Sequence, residues 1–291
     1  MLVFIIAVKH PASSHSYERV TELLRRTLAS VEAQTYGNSA AIVVCNKRPA
    51  WAVDGPKRLF VEVDFPPAAL PKSLDEEHTW VFLDKGAKNA VGLLHARRFA
   101  PTHVMFVDAD DFVSRRLAAH VRLHPDAPGW YFDLGLLYSG QFKIAEPRDK
   151  FSTYCGSSHI LRYDLLPVEM DLAAAGSLDG VINALGEPYL RRILGNHQEF
   201  SAYVAKRGLT LASLPFPGAV WHTETGENSS RMAWGQKRFG SIWGRRLTSE
   251  EAEEFTIPPA ARSLRNGLLL CAWRLRSLAT GGLRRFLGRP S

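Results

Sequence analysis

The stretch Val104-Met105-Phe106-Val107-Asp108-Ala109-Asp110-Asp111 decides the fold, because an apolar run of strand length leads directly into three aspartates. In open α/β sheets, ligands bind beyond the carboxyl ends of the strands. Carboxylates there are unfavourable unless a cation uses them. Alternate aspartates point two side chains to one side, which suits Mg²⁺ or Mn²⁺ bridging a ligand's phosphates. The alternative is that Asp110 or Asp111 caps the next helix.

The segments before this stretch alternate between strand and helix patterns. Strands are predicted at 2–8, 40–45, 58–64 and 103–107, and helices at 17–34 and 85–99. The proline-containing segment 65–78 is predicted to be a surface loop. Repeated strand–helix–strand units imply crossover connections. The sequence therefore predicts an α/β fold with a mostly parallel central sheet and flanking helices.

The pattern is looser after residue 125. Strands are predicted at 130–138, 158–162, 209–214 and 219–222, and a helix at 196–207. The segment 223–246 is rich in Gly, Ser, Arg and Trp and is predicted to be a mobile loop, while an N-capped acidic helix begins at Ser249. We expect two units, 1–246 and a helical C-terminal extension, 247–291.

Composition excludes several classes of protein. With 291 residues, 46% apolar and 22% charged, the chain is expected to be globular, not disordered. Three scattered cysteines form neither a disulfide framework nor a zinc motif, which indicates a reducing, cytoplasmic compartment. The apolar start is too short to span a membrane.

The positive charge is concentrated in the tail. Seven arginines and no acid lie between Phe255 and Ser291, and they account for the whole excess of 36 − 29 = +7. Leucines flanked by these arginines recur at helical spacing, which predicts a basic amphipathic helix. This helix either binds an anionic membrane surface, at the inner face of the plasma membrane, or docks on the body of the protein. Nucleic acid is not expected as a partner, because aromatic residues do not interleave with the arginines.

Several pieces in a fixed order carry a wider resemblance. They are 28–36 (LASVEAQTY), 42–46 (IVVCN), 88–92 (KNAVG), 108–111 (DADD), 196–200 (NHQEF) followed by Gly208, and 217–222 (PGAVWH). Over roughly residues 1–240 the chain resembles the family 2-like glycosyltransferases of the GT-A fold. The resemblance implies transfer of a sugar from a nucleotide-diphosphate donor, with UDP favoured, to a hydroxyl of a glycan or lipid-linked acceptor, with inversion.

The resemblance also implies a cofactor and a set of contacts. Mn²⁺ or Mg²⁺ would offset the charge of the departing diphosphate. The implied metal ligands are Asp108, Asp110 and His222, while Asp111 orients the turn. The implied nucleotide-sugar contacts are Lys9, His10, Asn46, Lys85, Lys88, Asp108, Ala109 and Arg231 on the 223–246 loop, which would close over the diphosphate together with Lys237 and Arg238.

Some of these residues have ordinary structural alternatives. His222 is equally expected as a partly buried histidine at a strand end, and Lys85 and Lys88 as members of a solvated helix face. Asn46 stands where the family commonly has Asp. An amide offers both a donor and an acceptor to a uracil or thymine edge.

The catalytic base has two candidates. The family has an Asp where this chain has His197. Imidazole titrates near neutral pH and suits the role. Glu199, two residues on, is the favoured alternative, because a carboxylate suits the first turn of a helix and an imidazolium does not.

Two other functions stay open at this point. A non-catalytic nucleotide- or carbohydrate-binding protein would have kept the fold and lost the base. A sugar nucleotidyltransferase would carry a Gly-rich basic signature after the first strand, and 9–15 (KHPASSH) lacks it.

Overall fold

The computed structural model describes residues 1–67, 74–228 and 244–258, without the side chains of 74–78. Arg231, Lys237, Arg238 and the predicted amphipathic tail lie outside the described residues. Within those three ranges, no helix combines the length and the apolar character needed to cross a membrane.

The secondary-structure elements alternate along the first half of the chain. The strands are β1 (Leu2–Ala7), β2 (Ser39–Cys45), β3 (Arg58–Glu62), β4 (His103–Asp108), β5 (Phe112–Val113), β6 (Gly129–Tyr131), β7 (Gly135–Ser139), β8 (Ala145–Arg148), β9 (His159–Arg162), β10 (Ala212–Ser213) and β11 (Ala219–Thr223). The helices are α1 (Tyr17–Glu32), α2 (Leu74–Ala96), α3 (Leu117–Leu123), α4 (Leu178–Leu185), α5 (Glu187–Tyr189), α6 (Phe200–Ala205) and α7 (Ser249–Glu254). A π-helix, Leu190–Leu194, follows α5.

The central sheet has the strand order β10-β6-β9-β4-β1-β2-β3. Its neighbours are parallel except at β9, which runs antiparallel to both β4 and β6. Apolar side chains of α1 and α3 cover one face, and those of α2 and α4 cover the other. The predicted α/β fold with a mostly parallel central sheet and flanking helices is confirmed.

Burial explains why the central strands could be predicted from the sequence. The side chains of β1 from Leu2 to Ile6 are buried on both faces, so the strand is a continuous apolar run. Helix α2 packs closely on it, since a Cβ at Gly92 would lie 2.3 Å from Ile5 Cγ2. In α1, the Ser16 side chain caps the first turn by accepting a hydrogen bond from Arg19 N.

Three boundaries differ from the predictions. The predicted loop 65–78 is too long, because α2 already begins at Leu74. The first turn of α2 is acidic in sequence, which favours a helix start there. The predicted strand 130–138 is two strands, β6 and β7, which belong to different sheets. The predicted helix 196–207 begins as a 3₁₀ turn, His197–Glu199, before α6.

A smaller sheet has the order β5-β11-β7-β8. One of its faces joins the main core, and the other carries Phe112, Tyr138 and Val220 against Phe255 and Ile257. Glu254 of α7 also accepts hydrogen bonds from Ser114 Oγ and Arg116 Nε. Residues 247–258 of the predicted extension therefore pack on the body of the protein.

Candidate active site at the carboxyl ends of the central strands

The parallel register brings the ends of three strands together. Ala7 of β1 pairs with Asp108 of β4 on one side and with Val44 of β2 on the other. The aspartate turn therefore lies beside the chain that leaves β1 and the end of β2. This is the edge at which open α/β sheets bind their ligands.

Asp108 forms an ion pair with Lys85 of α2. The pair rests on the backbone of Gly156, where a Cβ would lie 2.3 Å from Asp108 Oδ2 and 2.8 Å from Lys85 Nζ. Burial alone would lower the pKa of Lys85, but the charge of Asp108 outweighs it and the net pKa is raised. Lys85 is therefore a fixed cation at the site.

Asp110 is the second carboxylate of the turn. Its Oδ2 accepts hydrogen bonds from Asn228 Nδ2 at 2.9 Å and from Thr225 Oγ1 at 3.3 Å. Burial, followed by the charge of Asp108, raises the pKa of Asp110 to about 7. A carboxylate in these surroundings is stabilised by any further positive charge.

Asp111 stabilises the aspartate turn through hydrogen bonds to neighbouring segments. Its Oδ1 accepts from His222 N at 3.0 Å, and its Oδ2 accepts from Ser157 Oγ at 2.7 Å and from Cys155 Sγ at 3.3 Å. Burial and the charge of Asp110 raise its pKa well above the usual range. Neither Asp110 nor Asp111 caps a helix; the N-cap of α3 is Arg116, without a side-chain cap. The helix-cap alternative is therefore wrong.

His222 lies at the end of β11, packed between the rings of Phe112 and Tyr138. Its Nδ1 is 3.1 Å from the Asp110 carbonyl oxygen, and its buried Nε2 has no hydrogen-bond partner among the described residues. A Cβ at Gly140 would lie 2.8 Å from Nε2, so this atom faces the β7–β8 turn. Burial, followed by the charge of Lys143, lowers its pKa to about 3 and keeps the ring neutral.

Asp108 and Asp110 supply carboxylate oxygens, the type of ligand that a divalent cation prefers. Mg²⁺ is commonly held by one or two carboxylates together with substrate phosphates and water. Within the described ranges, no three His, Cys, Asp or Glu side chains form a group that could hold a metal. His222 accordingly does not complete a protein-only ligand set in this arrangement, and its metal role stays a prediction.

Two of the predicted nucleotide contacts are engaged by the protein itself. Lys88 is fully buried and donates to the Val8 carbonyl at 2.9 Å and to Asp84 Oδ2 at 2.7 Å. Lys9 Nζ contacts the Glu227 carbonyl at 3.2 Å. Lys88 therefore does not lie on a solvated helix face, and that alternative is wrong. Its ammonium group instead links α2 to the end of β1.

Asn46 and His10 flank the same edge. Asn46 Nδ2 donates to the carbonyls of Phe65 at 2.8 Å and Val63 at 3.3 Å, which leaves a buried Oδ1 without a partner among the described residues. His10 Nδ1 accepts from Ala12 N at 2.9 Å. Burial, followed by the charge of Lys88, lowers the pKa of His10. Asn46 thus presents an acceptor, with its donor already used.

The structure separates the two candidate bases. His197 is partly buried, and its Nε2 has no hydrogen-bond partner in the described chain. Burial and the charge of Lys85 lower its pKa to about 4, while Asp108 acts in the opposite direction. The charges of Lys85 and Asp108 therefore both act on the His197 ring. Glu199 is exposed on the outside of the same turn, so the geometry does not support the preference for Glu199.

Residues 223–228, here called the strap, were missed by the sequence reasoning. Besides Asp110, Asn228 Nδ2 contacts the His222 carbonyl at 2.9 Å, and Asn228 Oδ1 accepts from Thr225 N at 2.8 Å. The buried carboxylate of Glu227 accepts from the backbone of His15 and Ser16 at the start of α1. The prediction of a mobile loop is therefore wrong for 223–228. Only the polar residues of this segment could have signalled its role.

We expect Asn228→Ala to weaken Mn²⁺ binding by about tenfold or more, because partners that orient metal-binding carboxylates typically have effects of this size. Isothermal titration of Mn²⁺ measures the change, and Asn183→Ala, an exposed asparagine in α4, is the matched control. Equal Mn²⁺ affinity in Asn228→Ala and the wild type would show that the strap does not orient Asp110.

The fold and the site together define an α/β protein that presents a carboxylate pair, a fixed lysine and a neutral histidine beyond its central strands. No family model matches the chain, and no curated protein sequence matches it.

Among solved structures, the chain is similar to three described as S. aureus TarS. They are residues 1–349 of TarS (14% identity, TM-score 0.37, 76% of this chain and 60% of that chain), the same residues in complex with UDP-GlcNAc (13%, 0.38, 80% and 62%) and TarS itself (12%, 0.35, 76% and 36%). The chain thus spans less than two thirds of each.

Proposed function

We propose that this protein is a metal-dependent glycosyltransferase of the GT-A type, which transfers a sugar from a nucleotide-diphosphate donor to a hydroxyl group. The observation that carries the proposal is the Asp108–Asp110 pair at the end of β4, with Lys85 paired to Asp108 and its charge acting on His197. A cluster of this kind, with pKa values shifted by burial and mutual charge, is typical of active sites.

The roles in the donor site follow from the contacts. Asp108 and Asp110 would hold Mn²⁺ or Mg²⁺, which supplies positive charge to the diphosphate leaving group. Lys85 adds a second, permanent positive charge beside it. Asn46 Oδ1 is an acceptor, which matches the N3–H of uracil or thymine, and a UDP-sugar is the favoured donor on the family resemblance.

The acceptor step requires removal of a proton. Neutral His197, with Nε2 unpartnered in the described chain, would accept the proton of the attacking hydroxyl. Attack from the face opposite the diphosphate gives inversion. A glycan or lipid-linked acceptor, and membrane contact through residues 259–291, belong to the proposal on the sequence pattern alone.

A structure similar to this chain is described as a complex with UDP-GlcNAc. The same ligand class is proposed here because of the carboxylate pair and Asn46. The alternative hypothesis, a non-catalytic nucleotide- or carbohydrate-binding protein, predicts the same binding without turnover. Measurement of donor hydrolysis or sugar transfer therefore distinguishes this hypothesis from the glycosyltransferase.

A thermal-shift panel of UDP, GDP, dTDP and CMP, each with and without Mn²⁺, tests the proposal. A ligand that binds only the folded state raises the melting temperature by mass action. We expect UDP to give the largest shift and Mn²⁺ to be required for it. If no nucleotide shifts the melting temperature in either condition, the donor site is wrongly assigned.

A further inference from the structure

A cavity of about 970 Å³ lies beside α7, and no residue of the aspartate turn lines it. We call it the α7 cleft; its charged lining residues are Arg115, Lys143, Arg246 and Glu253, and its larger apolar ones are Tyr138, Leu247 and Ile257. Its volume falls in the range of about 300–1,000 Å³ typical of small-molecule sites. None of the residues assigned to the donor site lines it.

The charge of the α7 cleft is positive. Arg115 is neutralised by Glu253, with Nη1 at 2.7 Å from Oε1. Lys143 and Arg246 make no ion pair within the part of the chain that the structure describes. Two cations therefore remain available to a ligand at the cleft.

Lys143 is held in surroundings that favour an anion. Its side chain is partly buried, and burial followed by the charges of Arg26 and Arg19 lowers its pKa. Arg26 is paired with Glu22, and Arg19 Nε donates to the Thr225 carbonyl at 3.3 Å. An anionic ligand would stabilise the charged form of this lysine.

The backbone of Lys143 is also unusual. It ends the turn between β7 and β8 with φ +58°, and its N–H donates to the Ser139 carbonyl at 2.9 Å. Gly or Asn is the usual residue in this left-handed conformation. A lysine at this position, lining a cavity, is the kind of outlier that is found at functional sites.

We propose that the α7 cleft binds a phosphate-bearing ligand with an apolar part. Lys143 and Arg246 contact the phosphate, and Tyr138, Leu247 and Ile257 contact the apolar part. This site does not depend on the proposed glycosyltransferase activity, since it shares no lining residue with the donor site.

Isothermal titration of the full chain with inorganic phosphate and with hexyl phosphate tests the proposal. We expect hexyl phosphate to bind at least about tenfold more tightly, because its chain is removed from water in the cleft. Lys143→Asn should weaken hexyl phosphate binding by about tenfold or more and leave the fold intact, since Asn tolerates the left-handed conformation. Lys150→Asn is the matched control, because Lys150 also has a positive φ, 51°, but is exposed outside the cleft.

Three outcomes would overturn the assignment. One is unchanged hexyl phosphate binding in both Lys143→Asn and Arg246→Gln. Another is an equal loss in Lys150→Asn, which indicates attraction by net charge alone. The third is displacement of hexyl phosphate by UDP with Mn²⁺, which places the ligand at the donor site. Equal affinity for the two phosphates would overturn the apolar half of the proposal.

Discussion

Asp110→Asn is expected to lower sugar transfer by at least about 100-fold and to abolish detectable Mn²⁺ binding. The change keeps the shape of the side chain but removes one of the two carboxylates proposed to hold the metal ion. A metal ion at such a site contributes several kcal/mol of charge stabilisation, and each ~1.4 kcal/mol corresponds to a factor of ten in rate. The measurements are donor turnover and titration of Mn²⁺.

The stability of the same variant separates a metal role from misfolding. The pKa of Asp110 in the folded state is raised to about 7. Between the lower pKa of the unfolded chain and pH 7, this difference makes the free energy of unfolding fall as the pH rises. Asp110→Asn removes this cost and should melt at the same or a higher temperature at pH 7. Asp149→Asn, an exposed acid, is the control and should retain both activity and Mn²⁺ binding. Full metal-dependent turnover in Asp110→Asn would contradict the metal assignment.

His197→Gln is expected to lower kcat by about 10²–10⁴-fold, the usual contribution of a general base. Glu199→Gln, two residues away in the same turn, should stay within about twofold of the wild type, because its carboxylate is exposed. Steady-state kinetics of the two variants compare the candidates directly. If the two changes have equal effects, or the order is reversed, His197 is not the base.

The pH profile gives an independent test of His197. Its pKa is lowered to about 4, so the imidazole is neutral and able to accept a proton throughout the range above that value. In the free enzyme, the His197-dependent loss of kcat/KM should therefore occur as the pH falls through about 4, with a flat profile between 5 and 7. A single inflection near 6.5 would indicate that a solvated histidine is the base.

The position of the aspartate turn was largely predictable from sequence. Asp108, Asp110 and Lys85 follow or face a strand that is apolar because it is buried on both sides, and such a run is visible locally. The pairing of β1 with β4, which places Ala7 beside Asp108, was supplied by the structure. The choice between His197 and Glu199 could not be made in this way, since both lie in one turn and only the packing of that turn decides which side chain faces inward.

The sequence by itself determined the α/β fold with a mostly parallel central sheet and the position of the aspartate turn after a buried strand, because each depends on hydrophobic pattern and short crossovers. Tertiary structure alone decided the division of 130–138 between two sheets, the outward direction of Glu199 and the strap. The Asn228–Asp110 hydrogen bond joins residues 118 positions apart, and the Glu227 carboxylate meets Ser16 across 211 positions. No local pattern encodes such contacts, because they form only when β11 and α1 have been brought to the same edge of the folded chain.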